Sequence, residues 1–239
     1  MLRFTSQNGC NFAPSKSKYI QEMKEKVGTI FSIAADNAPV AGCTVSREIH
    51  GGARSVTYYS MAKNTDISAE IYPYHKLFVV VGGEMTVYCA DGTTQHLNDG
   101  DAIISPTDVP VGVRTEESAV FTEITIPKQD NMNQAIKAGE AFTLAQLVPY
   151  QEGRIVNMDV VSNSKMKFVV MSFDAGTGLS EHAAPGEALI FALDGEAVIG
   201  YEGSEHHIKA GEQFHFAKGG LHSVKAIKQF KMALLLTLE

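Results

Sequence analysis

The chain contains an internal repeat, and this repeat restricts the fold more than any other feature. The segment LFVVVGGEMTVYCADGTTQHLNDGDAIISP aligns with the later segment LIFALDGEAVIGYEGSEHHIKAGEQFHFAK. Gly83 and Gly195 match at a spacing of 112 residues, and Gly100 and Gly211 match at 111, so the copies differ by one turn residue. A solenoid repeat has only about 20–50 residues. The sequence therefore predicts a duplicated domain.

Both copies have the pattern of a β protein. Short runs rich in β-branched and aromatic residues are separated by glycine-containing turns. These runs cover residues 56–61, 77–81, 85–89, 102–104 and 120–126 in the first copy, and 166–173, 189–193, 197–201, 213–216 and 230–238 in the second. Closely spaced strands of this kind are typical of a sandwich or a barrel. The predicted fold class is all-β.

Two polar segments precede the copies. Residues 15–27 have apolar side chains on one side of a possible helix, and residues 128–138 are polar and compatible with a helix. We place the domain boundary near residue 128, where the second of these segments begins. The predicted domains are an N-terminal barrel with a helical lead-in (1–127) and a C-terminal barrel with a helical linker (128–239).

Composition excludes several classes of function. The chain is 44% hydrophobic and 20% charged with a net charge of -7, which argues against a nucleic-acid partner. No apolar run approaches the roughly 20 residues of a membrane-spanning helix, and the N-terminus lacks the apolar stretch of a signal peptide. Cys10, Cys43 and Cys89 have no paired spacing, which predicts reduced thiols and a cytoplasmic location. Phosphate-binding and nucleophile-elbow motifs are absent from the sequence.

Two histidines of the second copy flank its strand runs. His182 precedes one run and His222 follows the last turn. Side chains on one face of a closed barrel converge on its interior, so we expect these histidines to meet there. The surrounding glycines and histidines resemble the two motifs of the cupin superfamily, and the matching positions are Gly176, His182, Gly195, Gly211, Gly219 and His222. The chain therefore resembles a bicupin, with two tandem cupin-type barrels of the double-stranded β-helix (jelly roll) type.

The motifs also depart from the family pattern. Ala184 stands at the position of the second metal-ligating histidine, Ala188 at that of the glutamate, and Ala217 at that of the proline. Glu187 lies one residue early. Side chains alternate along a strand, which directs Glu187 away from His182, unless Pro185-Gly186 shifts the register.

Two cofactor interpretations follow from these departures. With the register shift, His182, Glu187 and His222 form a three-ligand site for one divalent transition metal such as Fe, Mn, Ni or Zn. Without it, the second barrel holds no metal and its histidines contact a small molecule. His215 lies in a strand run, and its role as a ligand contact or a core residue stays open. His206, His207 and His96 are expected in exposed turns, and His50 in a loop.

The first copy lacks all four ligand residues of the family. Glu70, Tyr72, Lys76 and Val111 occupy the positions of His182, Ala184, Ala188 and His222. We interpret Glu70 and Tyr72 as hydrogen-bonding within a barrel that is structural or that opens on the dimer contact. The alternative is a metal held by other donors, for which Glu70, Tyr72 and His75 are the candidates.

Three functions remain open. The first is small-molecule binding in the C-terminal barrel by His182 and His222, with His215 as a further contact. The second is a metal-dependent enzyme of the kind the resemblance implies: a dioxygenase, an isomerase or a decarboxylase. The third is a structural or interaction protein. The resemblance also implies a homodimer. A fold alone does not decide among these functions.

Overall fold

The computed structural model describes residues 23–238, and strands dominate them. The first strands are β1 (Ile30–Phe31), β2 (Thr44–His50), β3 (Val56–Met61), β4 (Thr65–Ile71), β5 (His75–Cys89), β6 (Thr94–Asn98), β7 (Asp101–Ile104), β8 (Pro110–Thr115) and β9 (Ala119–Ile126). The later ones are β10 (Ala141–Thr143), β11 (Ile155–Ser162), β12 (Met166–Phe173), β13 (Gly178–Ala183), β14 (Glu187–Tyr201), β15 (Ser204–Lys209), β16 (Gln213–Phe216) and β17 (Leu221–Thr237). Helix α1 (Ile33–Asp36) and a 3-10 helix (Leu144–Gln146) are short. The predicted all-β fold class is confirmed.

Antiparallel pairing joins these strands into two curled sheets, one for each copy of the repeat. The first sheet has the order β10-β7-β5-β9-β3-β2, with β4, β6 and β8 paired beside it. The second has the order β1-β16-β14-β17-β12-β11, with β13 and β15 paired beside it. The two orders correspond strand by strand. Each sheet curls into a barrel, which confirms the predicted pair of tandem barrels.

Each barrel receives one short strand from outside its own copy of the repeat. Strand β1, near the start of the chain, pairs with β16 of the second sheet. Strand β10, which follows residue 128, pairs with β7 of the first sheet. This strand exchange crosses the predicted domain boundary in both directions. The boundary itself stays a prediction.

Side-chain alternation divides the buried residues into three clusters. In β5, Phe78 and Val80 face the interior of the first barrel, whereas Leu77 and Val79 face the second barrel. A second interior cluster fills the second barrel. The third cluster lies between the barrels and includes Val56, Tyr58, Leu77, Val79, Phe168, Val170, Leu189 and Phe191. Both faces of the central strands are therefore buried, which explains their continuous apolar runs.

The central strands are longer than the sequence pattern predicts. Runs 77–81 and 85–89 belong to the single strand β5, and runs 189–193 and 197–201 belong to β14. Both strands pass through a local shift of register instead of ending at the glycines. The predicted break at Gly82-Gly83 is therefore wrong, because pairing with β9 continues on both sides of the bulge.

Two equivalent glycines make these bulges possible. Gly83 and Gly195 have φ values of 74° and 71°, in the left-handed region that glycine adopts without steric cost. A Cβ atom on Gly83 would lie 2.1 Å from the Ser118 carbonyl oxygen, and one on Gly195 would lie 1.8 Å from that of Gln229. The backbone approach at each bulge therefore requires glycine.

The helices predicted for the lead-in and the linker are wrong where the structure describes them. Residues 15–22 lie outside the described range, and residues 23–27 are not helical. The Lys24 amide donates instead to the carbonyl of Ile49, in β2. Residues 128–138 form turns, and within them the Asn133 amide donates to the Val160 carbonyl. Pairing with strands thus replaces the local hydrogen bonds of a helix.

Candidate functional site

The most distinctive feature of the second barrel is a pair of histidines. His182 on β13 lies directly opposite His222 on β17, with 4.2 Å between ring centroids. The His222 ring is 8% exposed and stacks on Phe216, which belongs to the interior cluster, whereas His182 is exposed. The pair therefore lies at the edge of the barrel interior. The structure brings these two predicted site residues together, and their role as ligand contacts stays a prediction.

Backbone contacts fix the tautomers of this pair. Nδ1 of His182 lies 2.8 Å from the Ser180 carbonyl oxygen, and Nδ1 of His222 lies 3.1 Å from that of Gly220. A carbonyl oxygen only accepts, so each Nδ1 carries a hydrogen, and in the neutral tautomer that this contact selects the lone pair is on Nε2. Burial lowers the pKa of His222, and the neighbouring His182 lowers it further, against the opposing effect of the backbone hydrogen bond. His222 is therefore neutral near pH 7 and acts as an acceptor.

The lumen wall beside the histidine pair is apolar. Ala184 and Ala188 are both 3% exposed and belong to the interior cluster. They occupy the positions at which the first barrel has Tyr72 and Lys76. Three half-buried side chains also pack against that cluster: Met171, Leu234 and Leu236. The histidines are thus polar groups at the edge of an apolar interior.

His215 faces away from this lumen. Its neighbours in β16, Phe214 and Phe216, belong to the interior cluster, so alternation directs His215 to the opposite face of the sheet. The ring is fully buried, and its Nδ1 lies 3.1 Å from the Glu25 carbonyl oxygen. Burial lowers the pKa of His215, while the Glu25 carbonyl opposes that shift. The strand orientation that the sequence left open is therefore outward, and His215 contacts the lead-in.

Glu187 lies on the same outer face as His215. One carboxylate oxygen, Oε2, accepts a hydrogen bond from the Met23 amide at 2.5 Å, and the other lies 3.7 Å from Nε2 of His215. Regular alternation holds here, and the register shift considered for Pro185-Gly186 does not bring the carboxylate inside. The predicted set of His182, Glu187 and His222 is therefore not assembled.

Replacement of Glu187 by leucine should loosen the attachment of the lead-in. A hydrogen bond to a charged acceptor contributes about 1.5–3 kcal/mol. We therefore expect the Met23 amide to exchange its hydrogen about 10- to 100-fold faster in the variant, as measured by NMR. Glu181→Leu, on the exposed surface of β13, is the control. Equal protection of Met23 in both variants would contradict the assigned contact.

The described residues do not fit a tightly held metal ion. Within residues 23–238, no three His, Cys, Asp or Glu side chains are grouped so that they can hold a metal. The histidine pair supplies two nitrogen donors, whereas protein zinc and non-haem iron sites use three or four protein ligands. The donor set is thus incomplete in the part of the chain that the structure describes.

The first barrel has a polar interior that the sequence revealed only in part. The Lys76 ammonium lies 3.2 Å from a carboxylate oxygen of Glu123 and 3.7 Å from the centroid of the Tyr72 ring. The Tyr72 hydroxyl donates to Glu70, which confirms the predicted hydrogen bond. Nδ1 of His75 bonds instead to the Ser105 backbone.

Sequence reasoning missed Glu123. It lies in β9 between Phe121 and Ile126, and its side chain is only 12% exposed. The sequence does contain an indication of this site, because Glu123 is the single charged residue in a strand that otherwise consists of apolar residues and threonines. Burial raises the pKa of Glu123, and the neighbouring Lys76 ammonium opposes that shift.

The remaining histidines lie in strands, and the predicted turn and loop positions are wrong. His96 is in β6 and His206 in β15, where the His206 ring lies 5.0 Å from that of Phe214. His50 ends β2 and is buried. The hairpin between β14 and β15 uses only two turn residues, so the histidines after it already belong to a strand.

Comparison with known proteins agrees with this architecture. A family model described as "Cupin domain" matches residues 169–238. A cupin 2 conserved barrel domain protein from Leptotrichia buccalis is 25% identical with a TM-score of 0.80, over 90% of this chain and 99% of that one. Salicylate 1,2-dioxygenase from Pseudaminobacter salicylatoxidans is 11% identical with a TM-score of 0.56, over 77% of this chain and 71% of that one.

A third solved structure, a deletion mutant of Bacillus subtilis oxalate decarboxylase, is 10% identical with a TM-score of 0.52, over 90% of this chain and 78% of that one. The last two likenesses concern the fold alone. No curated protein matches the chain in sequence. Paired curled sheets that enclose apolar and polar interiors define a protein of two small β-barrels. The family match identifies a cupin domain in residues 169–238, and the Leptotrichia cupin structure shares the fold over 90% of the chain.

The described residues contain short helices only. None of them has the length and apolar character that a membrane crossing requires. The cytoplasmic location stays a prediction from the sequence.

Proposed function

We propose that the second barrel binds a small, mainly apolar molecule through His182 and His222. The observation that carries this proposal is the pair of Nε2 lone pairs at the edge of an apolar lumen. Two neutral imidazole acceptors are complementary to a ligand with hydroxyl or amine N–H donors. An apolar wall with a few placed polar groups is the usual composition of a small-ligand site.

Phenol and cyclohexanol are suitable probes, with toluene as the matched molecule without a donor. We expect isothermal titration calorimetry to detect binding of the two alcohols and weaker binding of toluene. His182→Ala should weaken binding of the alcohols about tenfold, and His207→Ala, on the exposed side of β15, should not. Long-range proton–nitrogen NMR spectra report whether the Nε2 resonances of the pair respond. Toluene binding as tight as phenol, or an unchanged affinity in His182→Ala, would refute the proposal.

The binding should weaken in acid. The pKa of His222 lies below its usual range, so the ring is neutral near pH 7 and its Nε2 accepts. As the pH falls through that lowered pKa, Nε2 gains a proton and the acceptor is lost. Affinity for phenol should fall over the same range in which the His222 NMR signals titrate. An affinity that rises on acidification would instead indicate binding of an anion to the imidazolium.

A metal-dependent activity is the second candidate, because the same Nε2 lone pairs suit Fe, Mn, Ni or Zn. The similarity to salicylate 1,2-dioxygenase and to oxalate decarboxylase prompts the test. Since two donors do not hold a metal tightly, we expect well below one equivalent of metal in the purified protein. Near-stoichiometric metal that disappears in His182→Ala/His222→Ala would favour this candidate. The homodimer stays a prediction, which light scattering tests.

A further inference from the structure

A cluster of aromatic and charged side chains lines the interior of the first barrel. Tyr59 stacks on Phe121 of the interior cluster, with 5.1 Å between centroids. The Tyr72 and Tyr74 rings lie 5.2 Å apart. Together with the Lys76–Glu123 ion pair and the Tyr72–Glu70 hydrogen bond, these contacts define a tyrosine cluster: Tyr59, Glu70, Tyr72, Tyr74, Lys76 and Glu123.

The tyrosine cluster has more negative than positive charge. It contains two carboxylates and one ammonium group. Lys76 pairs with Glu123, and among residues 23–238 no ion pair within 4 Å involves Glu70, which is exposed. Among the described residues, one carboxylate therefore has no cation paired with it, and it lies beside three aromatic rings.

The tyrosines experience this negative charge. Burial, with smaller contributions from Glu123, Tyr74 and Glu70, raises the pKa of Tyr59 to about 12. The pKa of Tyr74 is raised by burial and then by the same two carboxylates. All three phenols are therefore neutral near pH 7, and both carboxylates lie close enough to interact electrostatically with them.

Tyr74 also lines a cavity with a volume of about 380 Å³. Thr125, which follows Glu123 by two residues on the inward face of β9, lines the same cavity, as do Ser55 and Pro73. Lys128 also lines the cavity and pairs with Asp108. The volume lies within the range of small-ligand sites, and the cavity adjoins the tyrosine cluster through Tyr74.

We propose that the first barrel binds a small organic cation, with its ammonium group between the Glu70 carboxylate and the Tyr72 and Tyr74 rings. Carboxylates and aromatic faces are the groups that hold alkylammonium ions in proteins. Lys76 demonstrates the chemistry within the chain, because its own ammonium group lies over the Tyr72 ring. This site is distinct from the histidine pair and does not depend on it.

The test is calorimetric titration of the full chain with n-butylammonium and tetramethylammonium ions, against n-butanol and butyrate as matched neutral and anionic probes. We expect the two cations to bind and the other two probes not to. Glu70→Gln keeps the shape of the side chain and removes its charge, and should weaken cation binding about tenfold or more. Tyr74→Leu should weaken it as well.

Glu117→Gln is the control, since Glu117 is an exposed carboxylate paired with Lys63 outside the cluster; it should bind the cations as the unmodified chain does. Circular dichroism establishes that each variant is folded. No heat of binding with either cation at roughly 10 mM, butanol binding as tight as butylammonium, or an unchanged affinity in Glu70→Gln would each overturn the proposal. Phenol binding at His182 is measured separately, so failure at one site leaves the other unaffected.

Discussion

Gly195→Ala should be among the most destabilising single substitutions in the chain. The residue would have to keep φ near 71°, which costs a non-glycine residue about 1–2 kcal/mol. Its Cβ would also lie 1.8 Å from the Gln229 carbonyl oxygen, so two paired strands would have to separate locally. We expect a total loss of about 3–5 kcal/mol in the free energy of unfolding, measured with urea.

Gly203→Ala separates the cost of the positive φ from the cost of the close contact between Cβ and a carbonyl oxygen. Gly203 has a similar φ of 78°, but a Cβ atom there meets nothing within 4 Å. This variant should lose only about 1–2 kcal/mol. Gly83→Ala, at the equivalent bulge of the first barrel, should behave like Gly195→Ala. Equal losses of unfolding free energy in Gly195→Ala and Gly203→Ala would mean that the close backbone contact at the bulge does not add to the destabilisation.

Lys76→Met should destabilise the first barrel at neutral pH by about 3–5 kcal/mol, because it leaves the buried Glu123 carboxylate without its partner. The two side chains of this ion pair are only 13% and 12% exposed. Burial already raises the pKa of Glu123, and Lys76 opposes that effect. The variant loses the opposing effect, so the pKa of Glu123 should rise further.

The loss of stability in Lys76→Met should depend on pH. When the folded-state pKa of a carboxyl lies above its unfolded value, its protonated form favours folding, and stability is lost as the pH rises through the folded pKa. The loss in the free energy of unfolding caused by Lys76→Met should therefore be large at about pH 8 and smaller at about pH 5. Urea unfolding at both values measures it. A deficit of the same size at both values would contradict this account.

A double variant tests the origin of the loss. Leu234 is the counterpart of Glu123 in the second barrel, so Lys76→Met/Glu123→Leu converts the pair to two apolar residues, of which the leucine already occurs at the equivalent position. Replacement of a buried ion pair by apolar residues of similar volume is often neutral. We expect most of the stability to return at neutral pH. A double variant as unstable as Lys76→Met would show that packing of the lysine stem is the cause.

The fold could be predicted because its strands alternate and its sequence repeats. The run 166–173 coincides with β12 and the run 213–216 with β16, since large apolar side chains recur in both strands and most of their residues are buried. Edge strand β2 was not predicted, because its first five residues are exposed and have no apolar alternation. The helix predicted for the linker was also wrong, since an amide in the linker donates to a strand that is distant in sequence.

The candidate site was predictable only where strand pairing controls it. His182 and His222 meet because two neighbouring strands place them opposite each other. Glu187 has its partner 164 residues away, at Met23, and no local pattern indicates that contact. The polar residues of the first barrel come from four strands and from the loop between β4 and β5, and each resembles an ordinary surface residue until the sheet curls.

The strand exchange has a consequence for the order in which the chain folds during synthesis. The first sheet obtains its last strand as soon as residue 143 has been made. The second sheet needs Ile30–Phe31, whose pairing partners Phe214 and Gln213 are made much later. A segment made before the first barrel must therefore wait until the second barrel is being made. The newly made first barrel consequently carries an unpaired strand until Gln213–Phe216 has been synthesised.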